Sequence, residues 1–205
     1  MGLRPAHGNG GRRGRYAGWA LPAGLALAAI AASLAGEAAR EALRWSRPAL
    51  ADGQAWRLLT GHVAHLGTAH LAMNLAALAV IWLLVGRRHG VRAWLAVLAI
   101  VIATIDAAFW WLVPQLDWYV GLSGVLHGLL VAGLLAGLRD APLESTLLLL
   151  AIAAKLAWEQ FAGPLPGSAE TAGGPVVVDA HLYGAVGGLA GAGVAWFGST
   201  RSRSI

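Results

Sequence analysis

The most prominent pattern in the chain is a series of six long apolar runs separated by short polar or charged stretches. Each run has about 18 to 21 residues, the length of a helix that crosses about 30 Å of hydrocarbon. The runs cover residues 19–36, 67–86, 93–113, 121–138, 143–162 and 180–197. This pattern predicts an all-α, polytopic membrane protein with six transmembrane helices in one domain, residues 17–198. Residues 1–16, which are rich in Gly and Arg, are predicted to be a disordered cytoplasmic tail, and residues 199–205 a second cytoplasmic tail.

The composition excludes a soluble domain. Hydrophobic residues make up 58% of the 205 residues and charged residues only 12%, so the chain requires a lipid bilayer as its solvent. There are no cysteines, which excludes a disulfide framework, a thiolate metal site and a cysteine nucleophile. The net charge of +5 comes from arginines between the runs. We therefore interpret it as a signal of membrane topology and not of affinity for nucleic acid.

The distribution of charges orients the six runs. Ten arginines fall on one predicted side of the membrane: Arg4, Arg12, Arg13, Arg15, Arg87, Arg88, Arg92, Arg139, Arg201 and Arg203. The other side carries the acidic residues Glu37, Glu41, Asp52, Asp117, Glu170 and Asp179, among only four arginines. The positive-inside rule therefore predicts that both termini are cytoplasmic. The run 19–36 has an alternative interpretation as a cleaved signal peptide, which would leave the remaining topology unchanged.

Polar residues interrupt three of the runs at one common depth. The second, fourth and sixth runs lead from the outside inward, and His70, Asn74, Ser123 and His181 all lie early in them. At 1.5 Å per residue, each lies roughly 5 to 12 Å below the outer boundary. We therefore expect these side chains to meet in one plane.

A serine and a histidine at the same depth can form a hydrolytic site. A Ser hydroxyl is a poor nucleophile unless a base removes its proton, and imidazole is the natural base at neutral pH. This predicts Ser123 as the nucleophile and His181 as its base. His127 is an alternative base, but a residue one turn deeper on the same helix points poorly at the hydroxyl. Asp179 faces nearly the opposite side of its helix from His181, so it is interpreted as a helix cap and not as a third catalytic residue.

Glycines accompany both candidates at helical spacing. Gly124 and Gly128 follow the serine, and Gly184 and Gly188 follow the histidine. Small residues at this spacing let two membrane helices approach closely, with or without chemistry between them. Here close approach would bring the hydroxyl and the imidazole within hydrogen-bond distance.

Hydrogen-bond donors for a tetrahedral intermediate are also present. His70 and Asn74 are four residues apart, so they share one helix face, and both can donate hydrogen bonds. Ser123 lies near the start of a predicted helix, where backbone N–H groups have no helical partner. Together these groups are predicted to form an oxyanion hole, although each alone is equally consistent with a packing contact.

This combination resembles the rhomboid family of intramembrane serine proteases. The matching motifs are Trp56-Arg57, His70-x-x-x-Asn74, Gly121-x-Ser123-Gly124 and Ala180-His181-x-x-Gly184-x-x-x-Gly188. The resemblance implies a rhomboid-like six-helix bundle and a catalytic dyad of Ser123 and His181. It also implies an oxyanion hole of His70, Asn74 and the backbone at Ser123. Peptide bonds would be hydrolysed in or near the bilayer, without a cofactor or a metal ion.

Two segments are most similar to the rhombosortase branch of that family. They are Gly121-Leu122-Ser123-Gly124-Val125-Leu126-His127-Gly128 and Leu59-Thr60-Gly61-His62. This resemblance implies exported bacterial proteins with C-terminal Gly-Gly-type membrane anchors as partners, and a site near the periplasmic or outer face of the bacterial inner membrane. His127 departs from many rhomboids, which carry there a Tyr packed against the catalytic His.

The remaining polar residues leave alternatives open. His62, His65 and His70 invite a zinc site, but no His-Glu-x-x-His pattern is present, and we predict no metal. Lys155 and Glu159 are four apart in an apolar run and can pair with each other. An ion pair between Asp106 and Lys155 is a further guess, and the outer connections 37–57 and 163–178 are both candidates to cover the site. A non-catalytic rhomboid-like chaperone or scaffold is the alternative function.

Overall fold

The computed structural model describes residues 18–201, and these are mostly helical. The helices are α1 (Ala20–Leu34), α2 (Gly36–Leu43), α3 (Arg47–Ala51), α4 (Arg57–Thr60), α5 (Thr68–Val85), α6 (Val91–Trp111), α7 (Ser123–Gly137), α8 (Pro142–Ala162), α9 (Ser168–Ala172) and α10 (Val178–Arg201). Two short strands, β1 (Trp45–Ser46) and β2 (Trp118–Tyr119), form an antiparallel pair. The predicted tail 1–16 lies outside the described residues, and of the tail 199–205 only the first three residues are described, as the end of α10.

Each of the six predicted apolar runs overlaps one long helix, and the six helices are α1, α5, α6, α7, α8 and α10. Among the described residues, α5, α6 and α8 are long and apolar enough to cross a membrane, whereas α1 and α7 are apolar but have 15 residues each. Helix α7 begins at Ser123 and not at Gly121, because Gly121 has a φ of +136°. The helical membrane fold agrees with the prediction, and the count of six spans stays a prediction.

Helices α6, α7 and α10 pack closely at the centre of the bundle. A Cβ atom placed on Gly124 would lie 2.8 Å from a backbone carbonyl oxygen of α10, and one on Gly128 would lie 2.6 Å from the carbonyl oxygen of Gly184. On another face of α10, a Cβ on Gly187 would lie 2.8 Å from the Cα of Val101 in α6. Real Cβ atoms essentially never approach closer than 3.0 Å, so only glycine allows these helices to lie so close together.

The connection between α1 and α5 is tied to the rest of the domain through its arginines and its strand. Trp45 in β1 pairs with Tyr119 in β2, next to the start of α7. The guanidinium of Arg47 donates to carbonyl oxygens at and beyond the end of α6, those of Phe109, Trp110, Val113 and Leu116. A cation there satisfies helix carbonyls that lack partners and opposes the helix dipole. Buried Arg57 donates to the carbonyl oxygens of Glu41 and Arg44 at 2.8 and 2.7 Å.

Candidate active site

The packing of α7 against α10 places Ser123 beside His181. Ser123 is the first residue of α7, and His181 lies in the first turn of α10. The Oγ atom of Ser123 and the Nε2 atom of His181 are 2.9 Å apart. His181 is only 5% exposed, so the contact is largely shielded from its surroundings. In this arrangement the hydroxyl can donate its proton to the imidazole.

His127, the alternative base, lies one turn after Ser123 on α7. Its Nδ1 is 2.8 Å from the backbone carbonyl oxygen of Ser123, to which it can donate a hydrogen bond. Its ring stacks on that of His181, with the ring centroids 4.3 Å apart and the planes inclined by 20°. The ring of His127 therefore supports the ring of His181, and it is His181 that can accept a hydrogen bond from the serine hydroxyl.

A carboxylate and an amine extend the polar chain beyond His181, and sequence analysis left both out of the site. Glu159 on α8 is 3% exposed, and its Oε2 lies 2.9 Å from His181 Nδ1. Lys155, one helical turn earlier, donates to the same oxygen at 2.7 Å. The signal in the sequence was the presence of two ionisable residues in an apolar run, which is expensive in a membrane. The spacing alone could not show that they face α10.

Candidate oxyanion donors lie close to the serine. Nδ1 of His70 accepts a hydrogen bond from the backbone N–H of Leu66 at 3.3 Å, so a neutral His70 ring carries its proton on Nε2. Asn74 donates to the backbone carbonyl oxygen of His70 at 3.0 Å, which uses one of its two amide hydrogens. The first backbone N–H groups of α7, beginning at Ser123, have no acceptor within the helix. His70 and Asn74 line the same cavity as Ser123, so the oxyanion hole stays a prediction for these groups.

Gly121 fixes the course of the backbone just before Ser123. Its positive φ is strained for any residue with a Cβ, and a Cβ here would also lie 3.0 Å from Cε1 of His70. The hydroxyl of Tyr119 donates to the carbonyl oxygen of Gly121 at 2.5 Å, and the Gly121 N–H donates to the carbonyl oxygen of Gly61 at 3.1 Å. Burial raises the pKa of Tyr119, so the hydroxyl keeps the proton that it donates.

One cavity of about 310 Å³ connects these groups. The polar residues on its wall are His70, Asn74, Ser123, His127, Lys155, Glu159, Ser168 and His181. Most of the remaining wall is apolar, as in ligand pockets generally, and includes Met73 and Leu130. Leu165, Val176 and part of α9 also line the cavity. The segment 163–178, one of the two connections that were candidates to cover the site, therefore forms part of the cavity wall.

A comparison with models of known protein families identifies the family of the chain. A family model of the Rhomboid domain matches residues 52–197, which is more than half of the chain. The chain belongs to the rhomboid family. Members of this family are generally intramembrane serine proteases that act on membrane proteins within the lipid bilayer. A search of curated proteins found no significant match.

Three histidines of this rhomboid domain, which were considered above as a zinc site, each contact another side chain. His62 Nε2 lies 3.2 Å from Oδ1 of Asp106 on α6, while the ring of His65 packs edge-on against His70, with ring centroids 5.0 Å apart. The guess that Asp106 pairs with Lys155 is therefore wrong, since the described partner of Asp106 is His62. These contacts join the segment before α5 to α6 and to the site.

The burial of His65 predicts acid sensitivity of this rhomboid domain. Burial, with a smaller contribution from nearby His70, lowers the pKa of His65 from 6.5 to about 4. The folded protein therefore resists protonation that the unfolded chain accepts, and stability is lost as the pH falls from 6.5 towards 4. The loss attributable to His65 is about 3 kcal/mol at most. Thermal unfolding in detergent at pH 7 and pH 4.5 measures it.

The matched variant for this prediction is His65→Gln. Glutamine does not titrate but keeps an amide donor for the carbonyl oxygen of Val63, which lies 3.0 Å from His65 Nδ1. We expect the drop in unfolding temperature between the two pH values to be smaller in this variant. Equal drops in both proteins would show that other groups cause the acid sensitivity.

Proposed function

We propose that this rhomboid is an active serine endopeptidase with Ser123 as its nucleophile and His181 as its general base. The observation that carries the proposal is the 2.9 Å contact between Ser123 Oγ and His181 Nε2, which lies in a cavity also lined by hydrogen-bond donors. A hydroxyl, a base and oxyanion donors are the minimum set for acyl transfer. The glycine contacts between α7 and α10 hold the first two together.

The proposed reaction uses only residues of the chain and water. Ser123 Oγ attacks the carbonyl carbon of the scissile bond while its proton passes to His181 Nε2. The carbonyl π electrons move to the oxygen, which accepts hydrogen bonds from His70, Asn74 and the backbone N–H at Ser123. The C–N bond then breaks, and His181 returns the proton to the leaving amine. A water molecule cleaves the acyl-enzyme by the same proton transfers and restores Ser123.

The substrate must present an extended segment to the site. A peptide bond within a helix has its carbonyl oxygen already hydrogen-bonded and its carbon shielded by neighbouring side chains. Residues that break helices or lack bulk, such as glycine, lower the cost of unwinding a membrane segment. This favours cleavage sites rich in glycine near the membrane surface.

Within the family, we propose the rhombosortase branch, with C-terminal Gly-Gly-type anchors of exported bacterial proteins as substrates. The segments 121–128 and 59–62 support this assignment by resemblance, and the requirement for easily unwound substrates agrees with it. The accompanying topology has six spans, both termini in the cytoplasm and the site near the outer face of the bacterial inner membrane. The excess of arginine on one side of the runs supports that orientation.

Cleavage of a co-expressed exported protein with a Gly-Gly-type anchor tests the proposal. We expect wild type to release the anchor, seen as a shift in gel mobility, and Ser123→Ala at matched expression to leave it uncut. The control substrate replaces the two anchor glycines by leucine and should be cut much more slowly, because the segment unwinds less readily.

Two outcomes would contradict different parts of the proposal. If wild type cuts a generic membrane substrate but not the Gly-Gly-type anchor, the protease assignment stands and the branch assignment fails. If wild type cuts neither substrate, a non-catalytic rhomboid-like chaperone or scaffold becomes the better assignment.

A further inference from the structure

An ion pair on α8, with a buried carboxylate and a half-buried ammonium, contacts His181 at the ring nitrogen that does not face the serine. Oε2 of Glu159 lies 2.9 Å from Nδ1 of His181 and 2.7 Å from Nζ of Lys155. Lys155 Nζ is itself 3.4 Å from His181 Nδ1. The Glu159 side chain is 3% exposed and that of Lys155 is 29% exposed, at the wall of the cavity. Charged groups in an apolar span cost free energy, so an intramembrane pair of this kind marks a functional position.

We propose that Glu159 is a positioning residue that fixes the tautomer and the orientation of His181, an inference that rests on the proposed function. A neutral imidazole carries one ring proton. If Nδ1–H donates to Glu159, the lone pair of Nε2 faces the Ser123 hydroxyl, as a general base requires. When Nε2 takes the serine proton, the imidazolium lies directly against the carboxylate. The site is then a Ser-His-Glu arrangement, where the sequence predicts a dyad.

Lys155 makes the identity of residue 159 critical. Its ammonium shares the carboxylate oxygen with His181, so the positive charge is neutralised within the ion pair. With glutamine at position 159, this ammonium would remain uncompensated beside His181 Nδ1. It would then favour the tautomer whose lone pair is on Nδ1, which puts the proton on Nε2 against the serine oxygen. That tautomer cannot accept the serine proton.

A metal ion is the competing explanation for the same carboxylate. His127, Glu159 and His181 are the group of three or more potential ligands that the described residues offer, with ligand atoms within 4.8 Å of one another. Lys155, however, donates to the Glu159 oxygen that faces His181, and an ammonium at 2.7 Å opposes a cation bound there. The geometry therefore favours the positioning role, and a chelator separates the two explanations.

The rate at which a serine-directed fluorophosphonate labels the purified full chain in detergent tests the proposal without any peptide substrate. We expect Glu159→Gln to be labelled roughly a hundredfold or more slowly than wild type, as for loss of a triad acid. Glu144→Gln, which alters an exposed carboxylate in the first turn of α8, should be labelled at the wild-type rate. Labelling of wild type should not change with EDTA.

These outcomes separate the two levels of inference. Wild type labelled no faster than Ser123→Ala would mean that the proposed function has failed. Wild type labelled rapidly, with Glu159→Gln equally fast, would overturn the positioning role and leave the proposed function intact. Loss of wild-type labelling in EDTA would overturn the positioning role of Glu159 in favour of a bound metal ion.

A proton spectrum of the protein labelled with ¹⁵N-histidine provides a second readout, which does not require catalytic activity of any variant. A ring N–H that donates to a carboxylate resonates far downfield, and we expect such a signal from His181 in wild type, assigned by its loss in His181→Ala. The hydrogen bond between His62 and Asp106 supplies a reference signal elsewhere in the protein. Glu159→Gln should lose the first signal and keep the second. Absence of the His181 signal from wild type would overturn the proposal.

Discussion

Replacing Ser123 by alanine is expected to abolish peptide cleavage, and replacing His181 by alanine is expected to lower it almost as far. Loss of the nucleophile or the base of a serine protease lowers kcat by on the order of 10⁴- to 10⁶-fold. KM should change little, because neither group is needed to bind the substrate in its ground state. Initial rates of cleavage of a membrane substrate in reconstituted vesicles measure both parameters.

Ser145→Ala is the matched control for the serine. It removes a buried hydroxyl near the start of α8, outside the cavity, and should retain the wild-type rate. His127→Ala should be slower than wild type but measurably active, because it loses the ring stacked on His181 and the hydrogen bond to the carbonyl oxygen of Ser123 but keeps the base. An inactive His127→Ala together with an active His181→Ala would reverse the assignment of the base.

Gly184→Ala is expected to cause the second large loss of activity, because it forces two helices apart. A Cβ atom on Gly184 would collide with the backbone carbonyl oxygen of Gly124, and backbone cannot move aside as a flexible side chain can. The helices α7 and α10 must then separate, which costs about 1–3 kcal/mol of stability. A displacement of about 1 Å between Ser123 and His181 can itself reduce the rate roughly a hundredfold. Cleavage rate and unfolding temperature should therefore both fall.

Gly193→Ala tests whether this effect is steric. Gly193 lies on the same helix as Gly184, but apart from the adjoining backbone of that helix no described atom lies within 4 Å of the place where its Cβ would be. The substitution changes helix propensity in the favourable direction and leaves the contact with α7 untouched. We expect wild-type activity and equal or higher stability. Equal damage from both substitutions would show that helix flexibility, and not close packing, explains the result.

The long helices could be located from the sequence because a membrane span requires an uninterrupted apolar stretch. The boundaries differ where glycine leaves the helical region: α1 ends at Leu34, just before Gly36 with a φ of +84°, and α7 begins after Gly121. Hydropathy carries no information about such backbone angles. The short helices α2, α3, α4 and α9 were not predicted, since tertiary contacts such as those of Arg47 hold this kind of segment in place.

Part of the candidate site could be predicted from the sequence, namely the residues that are recognisable by their chemistry and by their depth in the membrane. Ser123 and His181 stand out because the sequence places a nucleophile and a base at the same level of different helices. The contact of Glu159 with His181 depends on how α8 is rotated about its own axis, which no local pattern specifies. The spacing of Lys155 and Glu159 shows only that the two share a face. Which neighbour that face meets is a property of the whole bundle.

Because Glu159 lies on α8, any displacement of that helix would also displace the carboxylate that contacts His181. This helix is the least buried of the three candidate spans, and large side chains such as Leu147 and Phe161 are 57% and 92% exposed. An outward movement of α8 would withdraw the carboxylate from His181. The imidazole would then no longer be held in the tautomer that carries its proton on Nδ1. If Glu159 positions His181 as proposed, the protein with α8 displaced would hydrolyse peptides more slowly than the protein with α8 in place.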